Sequence, residues 1–155
     1  MQKRKKGSFS GKPTGGGMTT SIPGEEILKE ILAGDVKTLV TWADTIGRGL
    51  AKNEQLTTSQ VRSFFGAVRR IQADVEASND KLSPKTHRQL VLLKPKLAYQ
   101  AQRERETRSR HGVAKLEEVL TPAIDLVENN VERFNYFTEF FEAILAYHKA
   151  AGGRD

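Results

Sequence analysis

The spacing of apolar residues is the feature of this sequence that most restricts its fold. From Ile22 to Ala151, apolar side chains recur at steps of three and four residues, which places them along one side of an α-helix. No segment of the sequence shows the sustained two-residue alternation that is typical of a half-buried strand. Gly34, Pro84 and Gly112 interrupt the pattern and mark turns. The sequence therefore predicts an all-α fold, a compact bundle of about five or six helices.

Two of the predicted helices have recognisable starts and apolar faces. Asp35 is placed to cap the first of them, and Thr57 or Thr58 the second. The first apolar face consists of Val36, Leu39, Val40, Ala43, Ile46 and Leu50. The second consists of Val61, Phe64, Phe65, Val68, Ile71 and Val75. We expect both faces to be buried against other helices.

Prolines shape the middle of the chain. Pro84 suits the first turn of a helix, because a residue there needs no N–H donor. A helical pattern continues from it to about Arg110, and Pro95 is expected to kink or divide that helix. Its apolar face consists of Leu90, Leu93, Leu97 and Ala101. A further helix, from Val113 to about Glu128, is expected to be broken or bent at Pro122.

The last predicted helix, from Val131 to Ala151, is unusually rich in aromatic residues. Its apolar residues are Phe134, Phe137, Phe140, Phe141, Ile144, Leu145 and Tyr147. They form too broad a surface for a helix that is covered along one narrow stripe, so we expect this helix to be central. Core packing of these rings, and of Trp42, is favoured over base stacking because large aromatic side chains are mostly buried.

Length and composition indicate one globular domain. The chain has 155 residues, of which 37% are hydrophobic, enough to bury a core. The absence of cysteine excludes disulfides, thiolate nucleophiles and sulfur-based zinc sites. No apolar run approaches the roughly 18 residues of a membrane span, and the Lys-rich start lacks the apolar stretch of a signal peptide. We expect a cytoplasmic protein without a membrane partner.

The net charge of +6 is unevenly distributed. Residues 1–17 carry five basic side chains and no acidic one, and the rest of the chain is nearly neutral. Residues 85–110 contain eight basic and two acidic residues, whereas residues 111–155 contain four basic and eight acidic ones. We expect residues 1–20 to be a disordered basic tail and residues 21–155 to be the helical domain. The composition of the tail fits a solubilising extension and a non-specific phosphate tether equally well.

Candidates for enzyme chemistry are few. His87, His111 and His148 are far apart in the sequence, and none has the spacing of a two-histidine metal site. His148 falls near the last helical turn, where an imidazolium interacts favourably with the helix dipole. The "TGGG" stretch at residues 14–17 lacks the lysine and hydroxyl residue of a phosphate-binding loop. We therefore predict no catalytic residues, no metal and no cofactor.

Basic residues form two groups. Ser59, Arg62 and Arg69 share a stripe of the helix that begins at Thr57 or Thr58, and Arg70 flanks it. No acidic residue occurs between positions 54 and 74, so this positive surface is not neutralised along its own helix. A solvated face without a ligand is the alternative.

The second basic group lies further along the chain. It comprises Lys94, Lys96, Arg103 and Arg105, with Tyr99 between them as a polar tip or stacking surface. Nearby glutamates are expected to pair with the arginines, which weakens the end of this group as a phosphate site.

Three stretches carry a family resemblance beyond periodicity. They are "LTTSQVRSFFGAVRRI" at 56–71, "LVLLKPKLAYQAQRE" at 90–104 and "FTEFFEAILAYHKAAGG" at 137–153. In this order they resemble the small helical subunit of type III-A CRISPR RNA-guided interference complexes, the Csm family, over residues from about 25 to 155. The related type III-B small subunit is also helical, but the "LLKPKLAY" and "AYHKAAGG" blocks favour III-A.

The resemblance implies a non-catalytic RNA-binding subunit that acts as a scaffold in antiviral defence. Its expected partners are guide RNA, target RNA, the type III-A backbone and large subunits, and neighbouring copies of itself in a stack. The resemblance assigns RNA contacts to Arg62, Arg69, Arg70, Lys94, Lys96, Tyr99 and Arg103. The alternative is a helical protein–protein adaptor without direct RNA contact, whose basic stripe binds an acidic partner.

Overall fold

A computed structural model describes residues 20–75, 79–108 and 111–153 of the chain. These residues form seven α-helices and no strand, apart from one isolated antiparallel bridge between Lys81 and Asn130. The helices are α1 (Glu25–Leu32), α2 (Val36–Lys52), α3 (Thr58–Ala73), α4 (Pro84–Val91), α5 (Leu93–Arg108), α6 (Gly112–Val127) and α7 (Val131–Ala150). The all-α prediction is confirmed, whereas the predicted tail lies, except for its last residue, outside the described ranges. None of the described helices is long and apolar enough to cross a membrane.

The extra helix relative to the predicted five or six comes from a division beside Pro95. Because Pro95 has no N–H to donate to the carbonyl of Val91, one continuous helix is disfavoured there. The chain divides at Leu92, and Pro95 falls in the first turn of α5, where the missing donor costs little. Pro122 has a smaller effect than expected, since α6 continues through it without a break.

The helix starts follow the capping signals of the sequence. The Asp35 carboxylate accepts a hydrogen bond from the backbone N–H of Thr38, which lowers the pKa of Asp35 below its usual value. Thr57 and Gln60 form a reciprocal capping box at the start of α3. Ser83 caps α4 directly before its first-turn proline.

The last helix is central, as predicted. It packs against α1, α2, α3 and α6, and most extensively against α2. Its four phenylalanine side chains are fully buried: Phe134, Phe137, Phe140 and Phe141. Phe65 of α3 meets Phe141 edge-on, with 5.3 Å between the ring centroids. Trp42 is also buried, so the core assignment is correct for Trp42 and the four phenylalanines of α7, whereas Tyr147 is only partly buried.

The predicted buried face of α2 was wrong at two of its six residues. Val36 and Val40 are 64% and 42% exposed, although the other four residues of that set are buried. The buried residues of α2 centre on the side that meets α7, and Val40 lies roughly 90° around the helix from that centre. A sequence pattern does not reveal how wide a strip of α2 its partner covers. On α3, Phe64 and Phe65 are only partly buried.

A glycine permits the close contact between α2 and α7. Gly47 is buried, and a Cβ atom placed on it would lie 2.6 Å from the carbonyl oxygen of Ile144 and 2.7 Å from the Cβ of Tyr147. Side-chain carbons do not approach backbone atoms this closely, so an added methyl group would force the helices apart.

We predict that Gly47→Ala lowers the free energy of unfolding by about 1–3 kcal/mol, because overpacking outweighs the gain in helix propensity. Gly66→Ala is the matched control, since among the described residues the nearest atom to a Cβ there is in the guanidinium of Arg70, at 3.6 Å. That control should raise the free energy of unfolding by up to about 1 kcal/mol. Urea denaturation followed by circular dichroism measures both. A Gly47→Ala protein as stable as the Gly66→Ala protein would contradict the close contact.

Candidate nucleic-acid interface

A groove between α3 and α5 brings together predicted residues from two helices. Its volume is about 490 Å³, and Val113 of α6 contributes to its wall. Arg70 of α3 and both Lys96 and Tyr99 of α5 line it. Three of the seven predicted RNA-contacting residues therefore share one concave surface.

The groove combines an apolar base with a positive rim. Leu93 is buried, and Phe64 and Ala67 are partly buried against the core, so these three side chains form the base. The side chains of Arg70 and Lys96 are exposed and supply positive charge. None of the described residues that line the groove carries a carboxylate. The surface is therefore suited to a ligand that has both an apolar ring and negative charge.

Tyr99 is the most prominent aromatic residue of this surface. Its side chain is 62% exposed, which makes it one of the few large apolar groups outside the core. The guanidinium of Arg103 lies over its ring, 6.0 Å from the centroid. This cation–π contact places a fourth predicted residue next to the groove.

Arg62 and Arg69 occupy a different side of α3. At about 100° per residue, these two positions differ by about 20° from each other and by about 80–100° from Arg70. Both side chains are exposed, and the guanidinium of Arg69 lies 5.9 Å from the ring centroid of Phe65. The basic surface of α3 therefore has two parts, a flank formed by Arg62 and Arg69 and a groove edge formed by Arg70.

Lys94 does not join either part. Its ammonium group forms an ion pair of 2.5 Å with Asp125 of α6, and its side chain is 32% exposed. The sequence groups Lys94 with Lys96, but two positions along a helix are about 200° apart, so the two lysines face opposite ways. Lys96 is exposed, as expected, while Lys94 has an acidic partner on a helix that is distant in sequence.

A buried carboxylate fixes one end of the groove. Glu104 is only 4% exposed, and it accepts hydrogen bonds from the Gln60 side chain at 3.3 Å and from the Val113 N–H at 2.9 Å. These bonds connect α3, α5 and the start of α6. The capping box between Thr57 and Gln60 can be recognised from the spacing of these residues in the sequence. The hydrogen bond between Gln60 and Glu104, which are 44 residues apart, cannot be recognised in that way.

The acidic residues of α7 lie on a separate surface. Glu132, Glu139 and Glu142 are exposed. Their positions fall within about 80° of one another around the helix, so they form one acidic stripe. The uneven charge distribution of the sequence thus becomes a basic surface on α3 and α5 and an acidic surface on α7.

His148 lies in the last turn of α7, as expected, but its ring is fully buried. Its Nε2 donates a hydrogen bond to the Leu56 carbonyl, while Gly153 packs against its ring. The ring therefore contributes to packing at the end of α7. Among the described residues, no group of three histidine or acidic side chains has a geometry that could hold a metal ion.

Comparison with known proteins agrees with the resemblance drawn from the three sequence blocks. The family model for Csm2 Type III-A matches residues 33–154, a range that contains α2 to α7 and every predicted RNA-contacting residue. Neither the curated proteins nor the solved structures give a match to this chain. Because the matched range covers most of the sequence, the chain belongs to the Csm2 Type III-A family, whose members are small subunits of type III-A CRISPR complexes.

Proposed function

We propose that this protein is a non-catalytic small subunit that holds the phosphate backbone of target RNA, or of the guide–target duplex, within a type III-A complex. The observation that carries the proposal is the convergence of Arg70, Lys96 and Arg103 around one groove that has no carboxylate among its described lining residues. Arg62 and Arg69 extend the positive surface along the outer flank of α3. Such a surface attracts phosphate groups of any sequence.

Backbone recognition fits the division of labour in an RNA-guided complex. Sequence is read there by base pairing between guide and target, so a protein subunit needs to recognise only phosphates and duplex shape. Exposed arginines and lysines on two adjacent helices supply contacts of that kind. Lys94 contributes less in this proposal, because Asp125 already neutralises it.

The separation of charge also supports stacking of several copies. The acidic stripe on α7 is separate from the basic surface on α3 and α5, so the α7 side is suited to a head-to-tail contact with a different surface of a neighbouring copy while α3 and α5 face RNA. A contact between two different surfaces continues into a filament when its rotation does not close a ring. The backbone and large subunits of the complex are the other proposed partners.

The first test reverses charges on the basic surface of the assembled complex. Arg62→Glu/Arg69→Glu and Arg70→Glu/Lys96→Glu should each weaken target-RNA binding about equally for unrelated guide–target pairs, because phosphate contacts do not read sequence. Each lost contact should flatten the slope of log affinity against log salt by about 0.7–0.9. Filter binding over a series of salt concentrations measures both quantities.

The matched control for this test is Lys37→Glu/Lys81→Glu, which makes the same charge change at two exposed lysines away from the groove. It should leave the salt slope close to the wild-type value. Loss of binding for one target sequence alone would indicate base readout. Unchanged RNA binding combined with lost subunit assembly would support the adaptor alternative and contradict the proposal.

A second prediction concerns catalysis. The purified protein should not cleave single-stranded RNA, DNA or an RNA duplex in the presence of Mg²⁺ or Mn²⁺, since the described residues offer no carboxylate or histidine cluster for a metal. Gel assays with labelled substrates test this. Cleavage that persists through purification and disappears with one substitution in this chain would contradict the scaffold role.

A further inference from the structure

We propose that the groove between α3 and α5 binds one unpaired nucleotide, with its base against Tyr99 and Phe64 and its phosphate near Arg70 and Lys96. This inference rests on the proposed RNA-backbone function and adds a base-binding site to it. A surface that served phosphates alone would need only the positive rim. The groove has, in addition, an aromatic side and an apolar base.

The exposure of Tyr99 is the first argument for a base. The fold does not use this ring in its core, and 62% of its surface is in contact with solvent. Arg103 lies over the ring, and the ring also lines the groove, so a ligand in the groove can contact it. Nucleobases stack on such rings whatever their identity, because every base has a π-face.

The shape of the groove is the second argument. Its volume of about 490 Å³ lies within the range of about 300–1,000 Å³ that is usual for small-molecule sites. The apolar lining residues Leu93 and Phe64 are buried and partly buried, whereas Arg70 and Lys96 are exposed. The faces of bases in a duplex are stacked on one another, so a base can lie flat against these side chains only when it is unpaired and turned out of its stack.

The positive charge of the groove favours a nucleotide as its ligand over an apolar peptide side chain. Two cations line the groove, a third lies over Tyr99, and no described lining residue is acidic. A nearby carboxylate, Glu104, is buried and accepts hydrogen bonds from Gln60 and Val113. An acidic peptide would satisfy the cations but would leave the tyrosine ring without a stacking partner.

A double-mutant cycle in the reconstituted complex tests the inference. Abasic substitutions are placed one at a time along the target RNA and its unpaired flanks, and each RNA is bound to wild-type, Tyr99→Leu and Tyr99→Phe complexes. Stacking of a base on an aromatic side chain corresponds to a change in affinity of about 5-fold to 150-fold. At one position, therefore, the abasic RNA and Tyr99→Leu should each weaken binding by at least about fivefold. Combined, they should weaken it no further than either does alone.

Controls separate this inference from its alternatives. Tyr99→Phe keeps the ring and should bind as the wild type does, and Leu92→Ala, at a 43% exposed residue between α4 and α5 that does not line the groove, should also have no effect. Equal affinity of the wild-type and Tyr99→Leu complexes at every position would overturn the base site. If the charge-reversal variants still lost binding in that case, the result would support binding of the RNA phosphate backbone without a base site. Failure of the Tyr99→Leu protein to join the complex would identify the groove as a protein contact and overturn the inference.

Discussion

The burial of the aromatic side chains of α7 is the constraint on which the rest of the structure depends. Four phenylalanine rings have no exposed surface, and four other helices are needed to cover them. Gly47 lets α2 come close to α7, while Phe65 sets α3 against Phe141. Because α3 is held on one side by this core, its opposite side is left to carry charge and to form a groove with α5.

This arrangement explains how a chain with a nearly neutral body presents a positive surface. Three acidic residues of the C-terminal part lie on the outer stripe of α7, and one basic residue of α5, Lys94, is paired with Asp125 of α6. The exposed cations along the groove and its flank are Arg62, Arg69, Arg70, Lys96 and Arg103. A subunit that binds the phosphate backbone of RNA needs its cations gathered on one surface more than it needs a large net charge.

Most of the fold was predictable from the sequence, because periodicity and capping are local. Asp35 and Thr57 cap helices as their positions indicated, and the aromatic residues of α7 are in the core. The exposure of Val40, the Lys94–Asp125 pair and the buried Glu104 were not predictable, since each depends on which helix lies opposite. The same limitation applies to the site: the sequence supplied its residues but not their division between a groove and a flank.

In the assembled complex, we expect the surface of α3 and α5 to face RNA and the acidic stripe of α7 to face protein. Photo-crosslinking tests this orientation directly, with a photoreactive residue introduced either at Ser63, which lines the groove, or at Glu139, which is exposed on α7. We expect crosslinks to target or guide RNA from position 63, and crosslinks to protein alone from position 139. RNA crosslinks from position 139 together with protein crosslinks alone from position 63 would show that the orientation is the reverse.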